Sequence, residues 1–168
     1  MTESLSYNVL FLCTGNSARS ILAEALLNHH GRERFKAYSA GSHPTGTVNP
    51  LTLRVLEEAH LPTVGLRSKS WDEFTAADAS PIDFVITVCD KAAAEPCPVW
   101  SGHPAMAHWG IADPAAVEGD EDKRLHAFRE ALRSMDQRVR LFLSLPIERL
   151  AQRQLHEALQ RIGRGSGA

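Results

Sequence analysis

Cysteine is scarce in this chain: three residues in 168, at Cys13, Cys89 and Cys97. A small, odd number excludes the paired framework of a small secreted disulfide protein. No stretch approaches the roughly 20 apolar residues needed to span a bilayer. Positive charge is not in excess either, since 18 Lys and Arg stand against 20 Asp and Glu. That balance argues against a nucleic-acid surface. The opening residues Met1-Thr2-Glu3-Ser4-Leu5-Ser6 lack the basic region and apolar segment of a secretory signal. Neither a nucleic-acid partner nor a membrane is expected, and the expected compartment is the cytoplasm. The eight histidines are scattered, with no pair at metal-ligand spacing on one helix, so no metal site is expected. In a reducing compartment, thiols that do form disulfides tend to be transient and catalytic.

One of the three cysteines opens a loop of unusual composition. Val9-Leu10-Phe11-Leu12 is an apolar run, Cys13-Thr14-Gly15-Asn16-Ser17-Ala18-Arg19-Ser20 follows, and Ile21, Leu22, Ala25 and Leu26 begin a helical pattern. The order is strand, polar loop, helix. Such a loop turns several backbone N–H groups toward one point and adds the positive end of a helix dipole. Cys13 at its edge is expected as a stabilised thiolate. Arg19 can offer two parallel donors to a tetrahedral oxyanion. The oxyanion-binding candidates are Thr14, Gly15, Asn16, Ser17, Ala18, Arg19 and Ser20. A nucleophile beside an anion cradle implies covalent attack on an oxyanion such as phosphate or arsenate. A cysteine at a strand end is also a common small core residue, and it is the surrounding glycine, asparagine and serines that favour the chemical reading.

The rest of the chain alternates. Strands are expected at Asn8–Leu12, Phe35–Ser39, Asp83–Val88 and Ala105–Trp109, and helices at Ser20–His30, from Pro50, at Asp120–Leu145 and at Ile147–Ile162. Asn49 can cap the second helix, with Pro50 at its first position. Strands alternating with helices give an α/β fold, a four-stranded parallel sheet with helices on both faces. Residues 1–163 read as one domain and 164–168 as a flexible tail. In such sheets the site lies beyond the carboxyl ends of the strands. Cys13 and Cys89 both end strands, and Asp113 follows the fourth by a few residues.

Cys89 and Cys97 lie eight residues apart. On a rigid helix that is roughly 12 Å along the axis, too far for a disulfide, whose Cα atoms stand about 4.4–6.8 Å apart. A bridge would require the segment to unwind. Three readings are open: two structural thiols, a zinc site with His103 and His108 whose spacing fits no common signature, or a thiol relay. In a relay Cys89 attacks a product held on Cys13, and Cys97 attacks the resulting disulfide. Asp113, before Pro114, is either a carboxylic acid for a leaving oxygen or the cap of the next turn.

These segments together resemble a known family. Leu12 to Ser20 resembles the catalytic loop of the low-molecular-weight tyrosine phosphatase fold. With Tyr38–Ser42, Arg67–Phe74, Val88-Cys89-Asp90, Cys97-Pro98 and His108–Pro114, the chain is more narrowly similar to the arsenate reductases built on that fold. The resemblance implies that Cys13 attacks arsenate, that Arg19 and the loop amides hold the oxyanion, and that Asp113 is the general acid. It implies that Cys89 releases arsenite by forming a disulfide with Cys13, which Cys97 takes over. It further implies no tightly bound cofactor and an external reductant, thioredoxin or a low-molecular-weight thiol with glutaredoxin, with phosphate as a weak analogue of arsenate. Some such reductases bind potassium beneath the loop. Asn16, Glu24 and Ser39 match that site, but its acidic partner is replaced near Pro62, which argues against potassium dependence. The alternative within the fold is a tyrosine phosphatase. Those enzymes usually carry aromatic residues after the Asp-Pro pair, where this chain has Ala115-Ala116-Val117.

Overall fold

The computed structural model describes residues 6–75, 79–90, 100 and 104–164. Four strands, β1 (Tyr7–Cys13), β2 (Phe35–Gly41), β3 (Phe84–Thr87) and β4 (Ala105–His108), form one sheet in the order β2-β1-β3-β4. All three pairings are parallel. Helices α1 (Arg19–His30), α2 (Pro50–Glu58), α3 (Glu121–Leu143) and α4 (Gln152–Gly163) complete the described elements, with single turns at Trp71–Phe74, Pro114–Ala116 and Ile147–Arg149.

Strand alternation divides the core. Val9, Phe11 and Cys13 point to one face, where Ile21, Leu22, Val55, Phe128, Met135, Phe142 and Leu159 cover them. Leu10 and Leu12 point to the other, against Ala40, Ile82, Val85 and Trp100, with Tyr38, Trp71 and Phe74 packed alongside. Among the described residues all four α-helices share the first face, and the second is closed by the Trp71–Phe74 turn and Trp100. Phe11, Trp109 and Phe142 are fully buried. Their rings pack in sequence, the first pair tilted and the second edge to face, with centroids 6.0 and 5.7 Å apart. Burial of each such side chain contributes about 1.5–3 kcal/mol or more.

The helix boundaries follow from local chemistry. Asn49 accepts from Leu51 N at 2.9 Å with Pro50 behind it, as expected. Asp120 accepts from Lys123 N at 2.8 Å and starts α3. The expected single helix from Ile147 to Ile162 is instead a 3-10 turn at Ile147–Arg149, a break at Leu150, and α4. Apolar spacing does not register that break, because Ile147 is buried from the turn just as it would be from a helix. Gly163 belongs to α4 and lies where a β-carbon would come within 2.0 Å of the His108 carbonyl. Close packing of α4 on the end of β4 therefore needs glycine there. The expected helical turn at 91–95 lies outside the described residues. No described helix is long and apolar enough to cross a membrane.

Candidate active site

β1 delivers Cys13 to the carboxyl edge of the sheet, and the chain turns at once into α1. The loop is fixed by its carbonyls. Thr14 O accepts from His43 N at 2.9 Å, Gly15 O from Thr45 N at 3.0 Å, Ser17 O from Asn49 N at 3.0 Å and Ala18 O from Leu22 N at 2.9 Å. In a planar trans peptide the N–H points opposite to the C=O. Anchoring these four carbonyls outward therefore turns the N–H groups of Gly15, Asn16, Ala18 and Arg19 the other way, toward the Cys13 side. Ala18 gives α1 no side-chain cap, so no cap of its own competes for the first amides. Three of these anchors come from the 43–49 segment and the fourth from the first turn of α1.

Asn16 and Ser20 stand apart from the other expected oxyanion residues. Both are fully buried, and their side chains point beneath the loop rather than into it. Asn16 has φ 47°, the left-handed conformation. Its side chain donates to Ser20 Oγ at 2.8 Å and Ser39 Oγ at 3.0 Å, and accepts from Lys69 N at 2.9 Å.

The Cys13 thiol hydrogen-bonds with Cys89, and Cys89 Sγ also lies 3.6 Å from Thr14 Oγ1. Neither cysteine is in a disulfide, and both are almost wholly buried. The Cys89 contact first, and burial second, push the Cys13 thiol up, against the pull of Arg19 and the Gly15 amide. A bare thiolate was expected at Cys13. The structure instead pairs it with a second sulfur, so a proton is retained by the pair: removing both would place two negative sulfurs side by side.

Arg19 reaches across to the 110–113 segment. Its NH1 donates to the Ile111 carbonyl at 3.1 Å and its NH2 lies 3.6 Å from Asp113 Oδ2. Asp113 Oδ1 accepts from Ala115 N at 3.0 Å. One oxygen of Asp113 therefore caps the turn, and the other faces Arg19. A cavity of about 400 Å³ lies behind this segment, bordered by Gly110, Asp113, Pro114, Ser134 and Arg138. Next to Cys89, Asp90 and His108 Nε2 meet at 2.8 Å, and His108 Nδ1 meets Thr87 Oγ1 at 2.8 Å. His108, weighed from sequence as a zinc ligand with His103, ties the ends of β3 and β4 together. Cys97 lies outside the described residues.

Two residues of the site carry no signal in the linear motif. Lys69 is buried directly under the loop, and Ser68 Oγ donates to Gly15 O at 3.1 Å. Both belong to Arg67-Ser68-Lys69-Ser70, 53 residues or more from the loop partners they hold.

The model of the low molecular weight phosphotyrosine protein phosphatase family matches residues 8–160. An arsenate reductase of Bacillus licheniformis is 34% identical over 134 residues, 80% of this chain and 93% of that protein. One of Bacillus subtilis is 31% identical over the same shares of the two chains. The crystal structure of an arsenate reductase from Archaeoglobus fulgidus superposes with a TM-score of 0.64 at 29% identity, covering 82% of this chain and 99% of that one.

Proposed function

The chain belongs to the low molecular weight phosphotyrosine protein phosphatase family, and on that premise we propose that it reduces arsenate to arsenite with Cys13 as nucleophile. Arsenate enters the loop against the inward amides and Arg19. Cys13 sulfur attacks arsenic, an As–O bond breaks, and Asp113 supplies the proton that lets the oxygen leave as water. Cys89 sulfur then attacks Cys13 sulfur. The S–S bond forms as the S–As bond breaks, the electron pair stays on arsenic, and arsenite departs as As(III). Two thiols have given up two electrons. Cys97 attacks Cys89, frees Cys13 and leaves a Cys89–Cys97 disulfide for an external thiol reductant.

The observation that carries this reading is the contact between the thiol of Cys13, at the start of the loop, and that of Cys89, just after β3. Phosphate-ester hydrolysis needs one thiol there; two-electron reduction needs a second within reach of the first. The 31–34% identical relatives named as arsenate reductases support it. The test is arsenate-dependent NADPH consumption, measured separately with a thioredoxin system and with glutathione plus glutaredoxin. Turnover with either, abolished in Cys13→Ser, is the expected result and also identifies the donor. Aryl phosphate hydrolysis without arsenate-dependent turnover in either system would make the protein a phosphatase.

A further inference from the structure

A buried ion pair under the loop has no part in the steps above. Glu24, on α1, and Lys69 have side chains only 13% and 7% exposed, with Lys69 Nζ 3.8 Å from Glu24 Oε1. Burying two charges costs several kcal/mol per ion by general estimates, and is tolerated only where hydrogen bonds satisfy what remains. Here they do. Lys69 Nζ donates to the Arg67 carbonyl at 2.9 Å and approaches Ser39 Oγ at 3.5 Å. Ser39 Oγ donates to Glu24 Oε1 at 2.5 Å and accepts from Asn16 Nδ2 at 3.0 Å. Both lone pairs and the proton of Ser39 are thereby used. Lys69 also holds Asn16 through its own backbone N–H, which donates to Asn16 Oδ1. Burial pushes the Glu24 carboxyl up, and Lys69 pulls it back. Burial pushes the Lys69 ammonium down, and Glu24 pulls it back.

The oxygens around Lys69 Nζ, a carboxylate, a hydroxyl and a backbone carbonyl, are hard donors of the kind an alkali cation takes. The ammonium already stands among them, and Asn16 Oδ1 is engaged by an N–H. These residues therefore do not fit an additional potassium ion.

We propose that Lys69 is the built-in cation of the catalytic loop: its ammonium, set among Glu24, Ser39 and the Arg67 carbonyl, takes the place of a free alkali cation and keeps Asn16 in its left-handed conformation, so that oxyanion binding needs no potassium. Lys69 is a positioning residue. Its ammonium acts through Ser39 and Asn16 on the loop backbone. This role rests on the oxyanion-binding half of the proposed function and not on the reduction step.

The test reads inorganic phosphate affinity from protection of Cys13 against iodoacetamide, in potassium chloride and in choline chloride at equal ionic strength. Wild-type protein is expected to bind phosphate equally in both salts. In choline, Lys69→Ala is expected to lose about tenfold or more in affinity, the scale of a slightly misplaced binding group. Potassium should restore most of it, because the truncation leaves Glu24, Ser39 and a carbonyl around a vacated space. Wild-type affinity that rises with potassium would overturn the proposal. So would undiminished binding by Lys69→Ala in choline, or a loss that potassium leaves unchanged. If Lys69→Ala fails to fold, the neutral pair Glu24→Gln with Lys69→Met removes both charges together. It should bind phosphate about tenfold more weakly in either salt, and wild-type affinity in that variant would equally overturn the role. All of these readouts stand even if no arsenate is reduced.

Discussion

Arg19 and Asp113 approach to 3.6 Å across the mouth of the loop, while the other end of the Arg19 fork holds the Ile111 carbonyl. One guanidinium thus links the Cys13 loop to the segment carrying Asp113. A lysine cannot make both contacts, since it is a point charge and not a fork. Arg19→Lys is expected to lower kcat/KM for arsenate by about a hundredfold or more, the cost typical of a lost oxyanion donor. Arsenate-dependent NADPH consumption measures it, and a loss below tenfold would mean that the fork is not needed.

Asp113→Asn separates the two uses of that side chain. The amide oxygen can still cap Ala115 N, so the turn should persist, but no proton can be delivered. Hydrolysis of an aryl phosphate is expected to fall by about 10²–10⁴ with unchanged thermal stability. Loss of stability with retained hydrolysis would leave Asp113 as a cap alone.

The Cys89 contact is the leading cause that pushes the Cys13 thiol up. Removing it should therefore lower that pKa and enlarge the thiolate fraction near neutrality. Cys89→Ala is expected to alkylate at Cys13 faster than wild type at pH 7, with the midpoint of the rate–pH profile shifted to lower pH. A midpoint that stays or rises would show that Cys89 does not hold the proton on the pair.

Reduction and hydrolysis should separate at Cys89. Cys89→Ser is expected to retain aryl phosphate hydrolysis within about threefold, since only Cys13, Arg19 and Asp113 enter that reaction, and to lose arsenate cycling. Cys97→Ser should complete about one turnover and trap a Cys13–Cys89 disulfide, visible by peptide mapping. Equal loss of both activities in Cys89→Ser would mean that Cys89 shapes the loop through Thr14.

Gly41 pairs with Cys13 in the sheet register, and a β-carbon there would come within 2.4 Å of the Thr14 carbonyl. Gly41→Ala must push the loop away from β2. A loss of about 1–3 kcal/mol, the usual cost of overpacking, is expected in urea unfolding. Phosphate protection of Cys13 should weaken with it. Full protection at wild-type stability would contradict the close approach.

What the sequence determined by itself was local or periodic. The apolar run into Cys13, the small polar residues around it, Asn49-Pro50 and Asp120 each act over a few residues, so strand, loop and helix starts were legible. Cys13 and Cys89 could be placed at one sheet edge because parallel strands bring their carboxyl ends together. Tertiary structure alone decided the rest, because those interactions join residues with no fixed spacing. Lys69 was given no role from sequence, and only folding buries it against Glu24 and the Asn16 side chain. The expected thiolate at Cys13 turned on its neighbour, because a sulfur 76 positions away in the chain sits against it. The left-handed turn at Asn16 sends its side chain down to Ser39 and Ser20, contacts that no local spacing announces.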